Sequence, residues 1–439
     1  MEEENLYEVR GFYEPGLFHL RLNTTDDLTN LNELKRDKTK IKYYSSFFHE
    51  YIHFLQDVTT TSGLANVSFF IDHIKYFNKV VLNDNSSTFK VPIEISNEAN
   101  TLTNISMRSI INGENIGYNR VLYSHYEGIP QKVTDNQNTE HEINSYKIHF
   151  LDCKTMGNKS LLFGVRNIKE FMTHSLQNIL FPGTEHDDIP YVIVELMLKK
   201  ELPKFAENQS NIIALCDAVQ MSVNPTDAFF MAIETLKILP NPSTPEEVYD
   251  IVYGCVYKDQ IEPPSQLIEN NYIHFHDLSK KQFQNAFASP FFNNNREWIT
   301  KVLDNAMKIR FGNRSFILHL IDGPNELSQL FLEIFKSLGT PFITNKSGAG
   351  WFYPPEELNH LDIASYYPLV FKSILGVYYG HFQCALINFC KHSKDGDKIV
   401  DITNQKCIQS PWLRVNDIPP CAFGALWKTW GLENEIPEK

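Results

Sequence analysis

Residues 47–57 read FFHEYIHFLQD, and their types and spacing define a chemistry. His49 and His53 stand four apart with Glu50 beside the first, an H-E-x-x-H pattern. Tyr43, Tyr44, Phe47, Phe48, Tyr51, Ile52 and Leu55 recur with a helical period, so a helix is expected over 40–57. On a helix, positions i and i+4 share one face. Two imidazoles placed there can hold one metal ion at about 2.0–2.1 Å each. Glu50, on the flank of that face, can reach a water held by the metal. A zinc ion lowers the pKa of such a water to about 7, and the glutamate takes and later returns its proton. Leaving two unligated histidines and a glutamate inside so apolar a helix would be costly, which weighs against a chance pattern. Asp57, a further four residues on, is expected beside His53 as a carboxylate partner for its ring.

A catalytic zinc needs a third protein ligand and an open position. The extended H-E-x-x-H-x-x-G-x-x-H pattern would need Gly at 56 and His at 59, and the chain has Gln56 and Thr59, which excludes a metzincin arrangement. A second segment, NIKEFMTHSLQ at 167–177, has Asn167 as a helix cap and an apolar face of Ile168, Phe171, Met172 and Leu176. With the first motif it resembles the gluzincin, thermolysin-like branch of zinc metallopeptidases. That resemblance implies Glu170 as third ligand on a second active-site helix. Lys169 stands where the family has Asn, and His174 where it has an acid. His174, one turn past Glu170, could support a ligand, be a ligand itself, or donate to the transition state. Glu185, His186 and Glu195 are further ligand candidates.

These residues need elements to hold them. Two short strands are expected at 6–9 and 17–22, and a second helix at 64–82. Polar stretches with short apolar runs between 83 and 165 read as antiparallel strands, and a mostly helical region follows to about 239. Pro240–Pro245 (PNPSTP) is the expected linker. Strands are expected at 314–321 and 341–344, with helices at 283–309 and 327–338. The resulting expectation is an α+β fold: a zincin-like catalytic domain at 1–240, with an active-site helix pair and antiparallel strands, and a mixed α/β C-terminal domain at 241–439 for substrate selection or regulation.

Composition narrows the class. The chain has 439 residues, 42% hydrophobic and 21% charged, which is a globular balance. Lys+Arg number 40 against 53 Asp+Glu, a net charge of −13. Nucleic acid is therefore not the expected partner. The basic run Lys35–Lys42 leads into a helix and reads as its solvated face. The start MEEEN lacks a signal-peptide pattern, and the apolar window 366–389 is broken by Pro368, Lys372 and His381, so a cytoplasmic location without membrane insertion is expected. Cys384, Cys390, Cys407 and Cys421 lack a C-x2-C knuckle and read as buried thiols rather than a structural zinc site. In NNYIHFHD at 270–277, Tyr272, His274 and His276 would be surface residues of an edge strand or donors to an oxyanion.

The expected activity is that of an intracellular zinc metallopeptidase. Its cofactor would be Zn²⁺ on His49, His53 and Glu170, with Glu50 as general base. Its partners would be a protein or peptide substrate and a regulatory protein. The rival readings are a zinc hydrolase of a non-peptide amide or ester, and a non-catalytic interaction protein with a structural zinc.

Overall fold

A computed structural model describes residues 11–24, 41–83, 86–95, 100–135, 137, 139–183, 186–256, 261–396 and 398–439. The expected strand at 6–9, most of the basic run at 35–42, and Glu185 lie outside them. Helices predominate and the sheets are small, an α+β architecture.

The chain opens with a hairpin, β1 (Gly11–Glu14) and β2 (His19–Leu22), paired antiparallel. Helix α1 (Ile41–Thr59) carries the histidine motif. Its aromatic and aliphatic side chains from Tyr44 to Val58 are buried on nearly every side, so α1 is a core helix. The Thr59 and Thr60 hydroxyls donate back to the Leu55 and Gln56 carbonyls, both at 2.6 Å, and close its end. Helix α2 (Thr61–Asn83) turns off at once. A Cβ on Gly63 would lie 2.4 Å from the Asp57 backbone, so only glycine permits this sharp reversal.

Helix α3 (Asn100–Asn112) follows, where only strands and loops are expected from sequence. Its Asn, Ser and Thr content hides an i, i+3 apolar rhythm at Leu102, Ile105 and Ile111. Then comes an antiparallel meander: β3 (Val121–Thr134), β4 (Glu140–Asp152) and β5 (Gly157–Phe163). Helix α4 (Val165–Leu180) carries Glu170. Gly164 is its N-cap, and the Asn167 side chain accepts the Gly164 N–H at 3.1 Å from inside the first turn. A short turn, α5 (Asp188–Tyr191), and helix α6 (Gln209–Val219) lie downstream.

In the C-terminal half, helix α7 (Pro264–Ala286) contains NNYIHFHD. The expected edge strand there is overturned. Ile268, Tyr272, His276, Ser279 and Phe283 are buried at helical spacing, and that long period overrides a short local alternation. Helix α8 (Asn293–Gly312) comes next. The strand expected at 314–321 is mainly a 3-10 turn, Phe316–His319. Strand β6 (Phe342–Asn345) pairs parallel with β2, and β7 (Gly350–Trp351) completes the sheet in the order β1-β2-β6-β7. Among the described residues, no helix is long and apolar enough to cross a membrane.

The regions expected on either side of residue 240 share one core. Their sheet mixes strands from both, and a buried ion pair joins them. Arg310 on α8 forks onto Asp217 on α6 at 2.6 and 3.0 Å, and Tyr249 donates to the same carboxylate at 2.6 Å. Arg310 Nε also donates to the Thr59 carbonyl at 2.8 Å and so anchors the end of α1. Arg310→Met leaves the Asp217 charge buried and is expected to cost about 3–5 kcal/mol in urea unfolding. Wild-type stability in that variant would show the clamp to be dispensable.

Candidate metal centre

Helices α1 and α4 lie against each other so that His49, His53 and Glu170 meet. One ligand atom from each falls within 4.8 Å of the others. Glu170 Oε2 is 3.2 Å from His49 Nε2 and 3.3 Å from His53 Nε2. Among the described residues this is the only such group of three or more His, Cys, Asp or Glu.

The neighbours set the state of each ring. Gln56 donates its amide to the Lys169 carbonyl at 3.2 Å, which turns its oxygen to His53 Nδ1 at 2.8 Å. Gln177 donates to the Ser45 carbonyl at 3.1 Å and hydroxyl at 2.8 Å, which turns its oxygen to His49 Nδ1 at 3.1 Å. Each amide oxygen can only accept, so each Nδ1 must carry the hydrogen. Both Nε2 lone pairs then face one carboxylate oxygen, a repulsive contact unless a proton or a cation stands between. The donor set of two imidazoles and a carboxylate is that of catalytic zinc sites, so the residues fit such an ion.

The electrostatics agree. Burial opposes a charge on His53, but Glu170 first and Glu50 also hold its pKa up at about 8. Burial likewise opposes the Glu170 charge, and the two imidazoles still draw its pKa well below the usual carboxylate range. Binding a divalent ion must displace the His53 proton. Zinc affinity is therefore expected to weaken below about pH 8, by about tenfold per unit, in titrations against a competing chelator. An affinity unchanged between pH 6 and 8 would exclude His53 as a ligand that must first lose a proton.

Glu50 is buried beside the triad. Desolvation raises its pKa, with the two imidazoles opposing and Glu170 reinforcing the shift, and the Tyr13 N–H donates to its carboxylate. The cleft in front has a volume of about 570 Å³. Gly11, Phe12 and Tyr13 of strand β1 line it, together with Arg166, Lys169 and Tyr191. A Cβ on Gly11 would lie 3.3 Å from Glu50 Cγ, so glycine there lets the strand approach the glutamate.

Several expected roles are corrected. Asp57 does not hold the His53 ring, because Gln56 does. Asp57 points instead to Lys169 Nζ at 2.9 Å and ties α1 to α4. His174 contributes no atom to the triad and does not line the cleft. It accepts from Asn178 at 3.0 Å, packs on His186 and Tyr191, and is held at a pKa of about 4, mainly by burial. His186 stands behind His49, 3.3 Å from Gln177 Oε1, and Glu195 pairs with Lys199 at the surface. Tyr272 donates to the Val58 carbonyl at 2.9 Å and His276 lies between Asp277 and Asp304, so neither serves the cleft. All seven cysteines are free thiols, and burial pushes Cys384 up to about 11 and Cys390 to about 12.

Sequence reasoning missed Gln177, Tyr191 and strand β1. Gln177 had a signal, since it lies seven residues beyond Glu170 on the same helical face. Tyr191, with its ring 6.0 Å from His49, follows Pro190 in a single turn that carries no periodicity. No family model matches the chain, and no curated protein or solved structure is similar to it.

Proposed function

We propose that this chain is a zinc metallopeptidase of the gluzincin type. The observation that carries this is the pair of glutamine-fixed imidazoles meeting Glu170 beside a buried glutamate. Zinc held there would polarise a water and the substrate carbonyl. Glu50, its pKa raised by burial, is suited to take a proton from that water and deliver it to the leaving amine. Tyr191 keeps its hydroxyl proton, because burial and the charges of Glu170 and Glu50 raise its pKa, so it can donate a hydrogen bond to the developing oxyanion.

The wall of the cleft favours a peptide over other amides and esters. Among the described residues strand β1 is an edge strand that pairs with β2 alone, and apart from the Tyr13 N–H, which Glu50 takes, its other edge would offer its backbone groups to an extended chain. Backbone pairing at a sheet edge recognises peptides without regard to side chain. The test is cleavage of a peptide pool by the zinc-loaded chain beside its Glu50→Gln variant. Cleavage by the wild type alone supports the proposal. No cleavage by either, with zinc bound, refutes it.

A further inference from the structure

A second cavity adjoins the metal cleft. Asn66 and Asn112 line both, and the side cavity, of about 360 Å³, lies between α2 and α3. Arg108 of α3 lines it. The guanidinium lies over the Phe69 ring at 5.2 Å, and its Nη2 is buried without a hydrogen-bond partner among the described residues, while the residue as a whole is half-buried and so presents part of its side chain to the cavity. Burial lowers the pKa of Arg108 to about 10, with only the charge of Asp57 opposing, so it stays cationic at neutral pH. That acid is already paired with Lys169. Asp72, at the exposed rim of the cavity, faces Lys75 at 3.8 Å. A desolvated guanidinium without an anion is costly, and a ligand that supplies one recovers that cost.

We propose that Arg108 is a specificity-determining residue, and that the side cavity receives a carboxylate of the substrate bound in the metal cleft. The inference rests on the peptidase reading above. The carboxylate belongs either to an acidic side chain of the peptide or to its C-terminus. The cavity is large enough for a side chain, and Asn66 and Asn112, which it shares with the metal cleft, set it beside the metal-site residues. In a chain of net charge −13, a cation at this position without an ion pair among the described residues is not a product of general composition.

The test uses the full-length, zinc-loaded Glu50→Gln protein, which can bind peptide without cleaving it. Short synthetic peptide libraries are offered in two matched pairs, one Glu against Gln, the other a free against an amidated C-terminus. Retained peptides are read by mass spectrometry. One pair is expected to favour the carboxylate by roughly tenfold to a hundredfold, the range of a buried charge-assisted hydrogen bond. The pair that responds assigns the source of the carboxylate. Adding Arg108→Gln should abolish the preference and Arg108→Lys should restore part of it, with zinc content unchanged. If the Arg108→Gln protein does not fold, the peptide pairs on the parent protein decide alone. Absence of preference in both pairs, or a preference that survives Arg108→Gln, overturns the proposal. Hydrolysis of the same libraries by the wild type separates the two claims. Preference without hydrolysis removes the peptidase reading and keeps the subsite, and hydrolysis without preference does the reverse.

Discussion

Glu50→Gln is expected to leave about one zinc per chain and to lower peptide hydrolysis by roughly a hundredfold to ten-thousandfold, the usual contribution of a positioned general base. Glutamine preserves the volume of a side chain packed against Gly11, so the strand beside it should not move. It can still accept the Tyr13 N–H. It cannot take a proton at neutral pH. Elemental analysis and single-turnover cleavage separate the two effects: intact metal with lost turnover assigns the base. Near-native hydrolysis in this variant would sink the mechanism. Loss of zinc along with activity would mean that Glu50 helps to hold the metal.

Glu170→Ala is expected to have the second large effect, on metal rather than on turnover alone. Among the described residues, the Glu170 carboxylate is the only anion that faces both Nε2 atoms within 3.3 Å. Without it two neutral imidazoles remain, a bidentate site below the three-ligand minimum of catalytic zinc. Zinc should be lost on dialysis against a chelator that leaves the wild type loaded. The same change removes the anion that sustains the raised pKa of His53, so that proton should be lost at lower pH than in the wild type. Stability should follow that shift. A histidine whose pKa is raised by folding contributes stability below its unfolded value of about 6.5, and this is lost as pH rises through about 8. Full zinc retention by Glu170→Ala would move the third ligand elsewhere.

Asp57 and Lys169 show how the two helices are held in register. Their ion pair at 2.9 Å and the bond from Gln56 to the Lys169 carbonyl join α1 to α4 one turn beyond the histidines. Lys169, a departure from the gluzincin pattern, thus has a role in this chain: it supplies both the cation and the carbonyl. The contact also explains why counting residues misplaced Asp57. Spacing of i+4 put it on the His53 face, but a half-buried lysine from the opposing helix draws the carboxylate away, and Gln56 takes the ring.

What the sequence determined is local. Helical periodicity placed His49, Glu50 and His53 on one turn, because spacing on a helix is set by hydrogen bonds four residues apart. The α4 segment was legible for the same reason, and Glu170 came from resemblance to a family motif rather than from spacing. Tertiary structure alone decided the rest. Glu170 lies 117 residues from His53, with α2, α3 and a three-stranded meander between them. Strand β1 reaches the cleft as part of a sheet that β6 and β7 complete from beyond residue 340. Arg108 stands on α3, a helix hidden by its polar composition. Such contacts follow from which apolar faces bury one another across hundreds of residues, and no short window of sequence carries that information.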